Sequence, residues 1–149
     1  MEREARILSI NISETKGTGK KPIKEAFVIK NFGIKGDAHA SRNSKRQVSL
    51  LSIQSINKIK NSQIDIKHGD FGENITLDYT DLYRLPIGTL LYFQNGVIMK
   101  ISQIGKKCHT GCNIFKTIGK CIIPAEGIFA IVLKSGKIKK NEVIRIKYE

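Results

Sequence analysis

Short apolar runs broken by glycine and asparagine most constrain the fold of this 149-residue chain. The clearest pair is residues 89–94 and 97–104, two alternating runs joined by Asn95-Gly96. This dipeptide between two strand patterns predicts a β-hairpin, because its turn needs residues that accept positive φ. Strands do not alternate with long helices, so the sequence favours a mostly antiparallel closed sheet over a doubly wound parallel one.

Six further segments have the alternation or β-branched content of strands. In the first of them, Leu8, Ile10 and Ile12 are predicted to share one side. A short helix is predicted over residues 52–60, with Ser52 as its N-cap. The predicted fold is a mostly β barrel of seven or eight short strands with one to three short helices, in a single domain over residues 1–149. The further strand segments are residues 6–12, 25–29, 46–51, 74–77, 128–133 and 143–148.

The formal net charge is +13, from 26 Lys and Arg against 13 Asp and Glu. Such a field attracts anions, whether a phosphate-bearing cofactor, a nucleic acid or an acidic protein. Singly scattered lysines also serve solubility, so charge alone does not choose among these partners. Nucleic-acid binding is disfavoured, because most of the six Phe and four Tyr sit inside apolar strand runs and the chain has no Trp. A basic β-barrel that binds nucleic acid without cysteine chemistry stays open as the alternative.

No apolar run approaches the roughly 20 residues that a membrane-spanning helix needs. Residues 1–12 include Glu2 and Glu4 and have no long apolar centre, which argues against a secretory signal. We therefore expect a cytoplasmic protein without membrane association. The three cysteines are then expected to be free thiols, ligands or catalytic groups, since an odd number outside an oxidising compartment does not indicate a disulfide framework.

Cys108 is the strongest candidate for chemistry. It lies in Lys106-Lys107-Cys108-His109-Thr110-Gly111-Cys112, where the apolar alternation of the preceding strand ends. Neighbouring positive charge favours the thiolate, which is both the nucleophile and the metal ligand. Cys121 precedes two isoleucines and fits core packing better. One cysteine pair with a distant third does not match the usual spacing of a structural zinc site, although a metal held by Cys108, Cys112 and Cys121 remains a third interpretation.

Two polar loops carry further candidates. His39 lies in Gly36-Asp37-Ala38-His39, where the glycine permits a close backbone approach and the aspartate can orient the imidazole. His68 shares a short turn with Asp70 and Glu73. Either loop also fits a plain surface turn. The glycines and lysines of residues 15–22 lack the Gly-Lys-Ser/Thr ending of a phosphate loop, so we assign that segment no function.

Taken in order, five segments resemble the MOSC domain, the module at the C-terminal end of molybdenum cofactor sulfurases. The resemblance covers about residues 5–147, and the chain departs from the family pattern at residues 40–45, where small members carry a Gly-x-Trp-His-like stretch. The matching segments are Gly36-Asp37-Ala38-His39, Arg46-Gln47-Val48-Ser49-Leu50-Leu51, residues 69–75, Lys106-Lys107-Cys108-His109 and residues 124–129.

The resemblance implies a MOSC-like β-barrel that binds the molybdenum cofactor (molybdopterin) or carries sulfur to it. Cys108 matches the family cysteine, which carries a persulfide or ligates molybdenum. Whether such a protein transfers sulfur or belongs to a molybdenum-dependent reductase is left open. The implied cofactor-binding residues are Asp37, His39, Arg46, Glu73, Asn74, Lys106, Lys107 and His109.

The same resemblance implies the partners. The chain has no pyridoxal-phosphate desulfurase domain, so we expect no pyridoxal phosphate bound to this chain. Sulfur would then come from a separate cysteine desulfurase-type donor that uses pyridoxal phosphate. The acceptor would be a molybdoenzyme or a protein of cofactor synthesis.

Overall fold

Eleven strand segments and two short helices make up the described part of the chain. The computed structural model describes residues 2–16, 19–58, 66–105 and 126–148. The strands are β1 (Glu2–Ile12), β2 (Lys21–Ile23), β3 (Glu25–Ile29), β4 (Gly33–Ile34), β5 (Val48–Ser52), β6 (Ile75–Asp78), β7 (Leu90–Tyr92), β8 (Ile98–Ile104), β9 (Ile128–Lys134), β10 (Gly136–Lys139) and β11 (Val143–Lys147). The helices are α1 (Ile53–Asn57) and a 3-10 turn over Leu82–Arg84.

Seven of these strands close into a barrel. Their order is β11-β7-β8-β9-β5-β6-β1, and β1 pairs with β11 to complete the ring, while β2 extends the sheet beside β1. Neighbouring strands of the ring are antiparallel, except that β5 and β6 run parallel. Strands β10, β3 and β4 form a separate three-stranded sheet. The predicted mostly β barrel is confirmed.

Local sequence signals fix two of these elements. Strands β7 and β8 form the predicted hairpin, with Gly96 at φ +89° and a hydrogen bond of 2.9 Å from the Phe93 amide to the Val97 carbonyl. The Ser52 side chain accepts from the Ser55 amide at the start of α1, as an N-cap does. Neither helix of the described residues is long and apolar enough to cross a membrane.

The barrel interior is filled by β-branched and leucine side chains from every strand of the ring. The residues of the first strand do not follow the predicted alternation, because the pairing of β1 with β6 shifts register between Ile7 and Ser9. Ile7 and Ile10 are therefore both fully buried in the core, while Leu8 is only half-buried. A β-bulge adds one residue to one strand and so reverses the facing of the residues before it. Fully buried core residues include Ile10, Leu50, Ile75, Leu91, Ile101 and Ile146.

One row of paired residues crosses half the barrel and locates the candidate loops. Ile104, Ile128, Leu50, Ile75 and Ile10 are successive partners on β8, β9, β5, β6 and β1. Residues 73 and 74 lie just before this row, where the chain enters β6. The loop that contains Asp37 comes after the row, beyond the end of β1. The segment 106–125 begins just after the row on β8 and ends just before it on β9.

Candidate functional site

Lys20, Asp37 and His39 form a compact cluster beyond the end of β1. Lys20 Nζ lies 2.7 Å from Asp37 Oδ1 and 3.0 Å from His39 Nδ1. The ion-paired side chains of Lys20 and Asp37 are both 0% exposed, whereas His39 is half-buried. A buried ion pair is tolerated when its remaining donors and acceptors are also satisfied. The structure thus joins two predicted site residues through a lysine that the sequence did not indicate.

Backbone amides hold the Asp37 carboxylate in place. The Ser13 amide donates to Asp37 Oδ1 at 3.1 Å, and the His39 amide donates to Oδ2 at 3.2 Å. The loop turns at Gly36, whose φ of +90° suits a residue without a Cβ. The carboxylate therefore binds the His39 backbone and the lysine that touches the His39 ring, and a role of Asp37 in orienting the imidazole stays a prediction.

Glu73 lies fully buried in the turn before β6. Its Oε2 accepts from the Gly69 amide at 3.0 Å and from Thr76 Oγ1 at 2.9 Å. Its Oε1 is also buried, and the described residues offer it no hydrogen bond. Burial raises the pKa of Glu73, and the hydrogen bonds from Gly69 and Thr76 only partly oppose that rise. Folding therefore shifts the protonation equilibrium of the Glu73 carboxyl toward its protonated form.

Asn74 uses its whole side chain to connect three strands. Its Oδ1 accepts from the Ser49 amide at 2.9 Å, and its Nδ2 donates to the Asn11 carbonyl at 3.1 Å. Asn74 is 0% exposed, and its own amide donates to Ser49 Oγ at 2.9 Å. In the described structure the side-chain amide of Asn74 links β1, β5 and β6, because its oxygen and its nitrogen are both hydrogen-bonded to backbone groups.

The turn of Glu73 and the cluster around Lys20 are in direct contact. The Lys20 amide donates to the Gly69 carbonyl at 2.6 Å, and the Asn11 amide donates to the Asn74 carbonyl at 2.6 Å. Gly69 has a φ of +90°, and a Cβ there would overlap the Lys20 carbonyl. Two loops that are more than thirty residues apart in sequence are therefore packed against the same end of β1.

Arg46 is exposed on the segment that enters β5. Its amide donates to Ser44 Oγ at 3.0 Å, and no described hydrogen bond or ion pair joins its guanidinium to the cluster around Lys20. The adjacent Gln47, which we did not predict as important, is fully buried: its Nε2 donates to Asn31 Oδ1 at 2.9 Å and its Oε1 accepts from the Val132 amide at 3.0 Å. Of the Arg-Gln motif, the glutamine is structural and the arginine is available to solvent.

Cys108 and the neighbouring candidates Lys106, Lys107 and His109 lie outside the described residues, as do Cys112 and Cys121. The described residues on either side of that segment are joined, since the Gly105 amide donates to the Gly127 carbonyl at 2.7 Å. Within 2–16, 19–58, 66–105 and 126–148, no three His, Cys, Asp or Glu side chains are grouped closely enough to hold a metal. The three-cysteine metal site therefore stays a hypothesis from sequence.

A second ionic contact anchors the chain where it re-enters β9. Glu126 accepts from Ser55 Oγ at 2.6 Å and from Lys58 Nζ at 2.9 Å, which ties this point to α1. Partial burial alone would raise the pKa of Glu126, but the hydrogen bonds from Ser55 and Lys58 outweigh it and lower the pKa. The hydrogen bond with Glu126 likewise raises the pKa of Lys58. Lys58 also lies 5.1 Å from the centre of the Tyr83 ring.

Known structures share this barrel. The YuaD protein from Bacillus subtilis superposes with a TM-score of 0.84 at 19% identity, over 100% of this chain and 99% of that one. The fold is MOSC-like. YiiM from Geobacillus stearothermophilus has a TM-score of 0.71 at 17% identity, with 97% of this chain and 75% of that one covered. YiiM from Escherichia coli has a TM-score of 0.68 at 15% identity, with 97% and 70% covered. No protein-family model and no curated protein matches the sequence.

Proposed function

We propose that this chain is a MOSC-type protein that binds the molybdenum cofactor or carries sulfur for it, with Cys108 as the persulfide carrier or molybdenum ligand. The observation that supports this proposal is the contact between the Asp37 loop and the Asn74 turn through Lys20 and Gly69. Motif loops that only resembled a family in sequence order are neighbours in space. The likeness of fold to YuaD and YiiM is consistent with the same proposal.

The motif resemblance, and not chain length, carries the proposed placement of Cys108 beside these loops. Strands β8, β5 and β6 run in the same direction, so β8 leaves the paired row at Ile104 on the side opposite to the Asn74 turn. Ile104 and Ile75 are three strand spacings apart along that row, about 14 Å at ~4.8 Å per strand. A site shared by Cys108 and the Asn74 turn therefore requires the segment after β8 to return across the row.

The described candidates divide into residues that can meet a cofactor and residues that build its surroundings. His39 is half-buried and Arg46 is exposed, so both reach the surface. The side chains of Asp37 and Asn74 are buried and hydrogen-bonded to protein partners, and the buried Glu73 is hydrogen-bonded through its Oε2. We propose that the second group supports the pocket without touching the cofactor.

Arg46 is the described residue best suited to the terminal phosphate of the pterin, because a guanidinium binds phosphate in bidentate fashion. Lys106, Lys107 and His109 would add positive charge beside Cys108. When bound, the cofactor would supply a molybdenum ion, for which a thiolate is a suitable soft ligand. The protein's own contribution is then to bind the phosphate and to keep Cys108 ionised.

In the sulfur-carrier form, the Cys108 thiolate attacks the terminal sulfur of a persulfide on a cysteine desulfurase-type donor. The sulfur–sulfur bond of the donor breaks, the donor cysteine leaves as a thiolate, and the new persulfide remains on Cys108. The transfer needs no external oxidant, because one sulfur–sulfur bond replaces another. A molybdoenzyme or a cofactor-synthesis protein would be the acceptor.

Two measurements test the proposal on the full chain, a Cys108→Ser variant and a matched Cys112→Ser control. The first is persulfide formation, read by intact-mass spectrometry after incubation with a cysteine desulfurase and L-cysteine. The second is cofactor binding, read as molybdenum by elemental analysis and as pterin by fluorescence after oxidation. We expect Cys108→Ser to lose at least one of these and Cys112→Ser to keep it. Equal behaviour of all three proteins would refute a role for Cys108.

A further inference from the structure

The ammonium group of Lys20 restricts where His39 carries its proton. Lys20 Nζ lies 3.0 Å from His39 Nδ1 and 2.7 Å from the carboxylate of Asp37. An ammonium has three donors and no lone pair, so the His39 nitrogen that faces it must be the acceptor. A neutral imidazole has one protonated and one unprotonated nitrogen. Nδ1 is therefore the unprotonated nitrogen, and the proton is on Nε2.

We propose that Lys20 is a positioning residue that holds His39 as a hydrogen-bond donor at Nε2. In that form His39 meets an acceptor, such as an oxygen of an anionic group, and does not act as a metal ligand or a general base. This ligand preference rests on the proposed function, because it assumes that His39 faces the cofactor pocket. The assignment of the His39 proton to Nε2 does not depend on the proposed function.

The Asp37 carboxylate holds the Lys20 ammonium in position beside His39. Its carboxylate accepts from Lys20 Nζ, from the Ser13 amide and from the His39 amide, so both ends of the Lys20–His39 contact depend on one group. Ser13 Oγ gives Lys20 Nζ a third neighbour at 3.2 Å. A buried ammonium with a carboxylate partner favours its charged form. Lys20 thus has a fixed direction, which a surface lysine would not have.

The lone pair on Nδ1 is covered by the ammonium, and this has a chemical consequence. Diethyl pyrocarbonate acylates histidine through an unprotonated ring nitrogen, so His39 should react slowly although it is half-buried and not fully enclosed. His68, which is also half-buried, lies in a different turn and provides an internal reference. Loss of Lys20 should release the lone pair of His39 without changing the reactivity of His68.

The experiment uses the full chain without cofactor or sulfur donor, at pH 8, as wild type, Lys20→Arg, Lys20→Met and Lys20→Met combined with Asp37→Asn. The combined variant removes both buried charges and keeps a folded reference if Lys20→Met alone does not fold. Nitrogen-15 NMR should assign the proton of wild-type His39 to Nε2. Peptide mapping should show His39 of either methionine variant reacting about tenfold faster, the factor expected from one charge-assisted hydrogen bond. Lys20→Arg should retain the protection.

A proton on Nδ1 in the wild type would overturn the assignment, and so would an unchanged His39 rate in a folded methionine variant. The ligand preference is tested on the wild type with inorganic phosphate and with Zn²⁺ as probes. Phosphate should shift the His39 Nε2 resonance while Zn²⁺ leaves its proton in place. A missing phosphate shift, or displacement of that proton by Zn²⁺, would overturn the ligand preference. Because no persulfide is measured, these outcomes are separable from failure of the Cys108 proposal.

Discussion

The Lys20 amide donates to the Gly69 carbonyl at 2.6 Å, and Gly69 in turn donates its own amide to the Glu73 carboxylate at 3.0 Å. One glycine residue therefore connects the cluster of Asp37 and His39 to the turn that carries Glu73 and Asn74. The two candidate loops are therefore connected by backbone atoms of Lys20 and Gly69 and by the buried Glu73 carboxylate, none of which belongs to a surface side chain.

Gly69→Ala should lower the free energy of unfolding by about 3 kcal/mol, because the new Cβ meets both an unfavourable φ and the Lys20 carbonyl. Gly88→Ala is the matched control: Gly88 has a similar φ of +96°, but a Cβ on Gly88 would have no other atom within 4 Å. That variant should lose only about 1 kcal/mol from backbone strain. Urea unfolding measures both, and similar losses would show that the contact with Lys20 contributes little.

Asp37→Asn should destabilise the protein by roughly 3–5 kcal/mol, because it leaves the buried Lys20 ammonium without its counter-charge. Asparagine keeps only one acceptor oxygen, so either the Ser13 amide or the His39 amide also loses its acceptor. Adding Lys20→Met should restore much of the stability. A double-mutant cycle of unfolding free energies checks this, and additive losses would contradict a coupled pair.

Glu73→Gln should change how stability depends on pH. Burial raises the pKa of Glu73, so as the pH increases past the ordinary carboxyl range the unfolded chain releases this proton first. The contribution of Glu73 is therefore fully present below its unfolded pKa of about 4.5 and is lost as the pH rises through the folded pKa. Between pH 4 and 8, the denaturation midpoint of the glutamine variant should rise relative to that of the wild type as the pH rises. A difference between the two midpoints that does not change with pH would argue against the raised pKa of Glu73.

Asn74→Ala should cost about 3 kcal/mol of stability, because it leaves the Ser49 amide and the Asn11 carbonyl buried without their partner. The loss should appear in the absence of any cofactor, since both partners belong to the protein. Thermal unfolding of cofactor-free protein is the measurement. If the variant were as stable as wild type but bound cofactor less tightly, Asn74 would be a ligand-binding residue.

Arg46→Gln should weaken binding of the molybdenum cofactor by about tenfold, the loss expected from one bidentate charge-assisted contact. Stability should not change, because the side chain is exposed. Lys45→Gln, at an exposed neighbouring position, provides a control of equal charge change. Cofactor titration should separate the two variants. Equal weakening would indicate a general electrostatic effect, and salt-sensitive RNA binding that survives Cys108→Ser would favour the nucleic-acid alternative.

The sequence predicted those parts of the fold that depend on neighbouring residues. Asn95-Gly96 specifies its hairpin, and Ser52 specifies the start of α1, because both act within a few positions. The predicted orientation of the Leu8 side chain was wrong, because the bulge in β1 arises from the pairing of β1 with β6, nearly seventy residues away. Strands β2, β4 and β10 were missed because segments of two to four residues show no measurable alternation.

The candidate site was predictable in its residue types and not in their roles. Glu73 and Asn74 were predicted to line a pocket, yet a buried asparagine that clamps strands and one that binds a ligand look alike in sequence. Lys20 was overlooked because its loop lacks a recognised motif, and its importance comes from Asp37 and Gly69, 17 and 49 positions later. Glycines at residues 69 and 72 beside acidic residues were the available signal that this turn is tightly packed.

The single parallel pair in the barrel follows from parity. Strand directions can alternate around a closed ring only when the number of strands is even, so a ring of seven must contain a pair that runs the same way. Here that pair is β5 and β6, and its consequence is that two strand beginnings lie side by side. Arg46 precedes one and Asn74 precedes the other. An eighth strand in the ring would have restored alternation and could have sent these two loops to opposite rims.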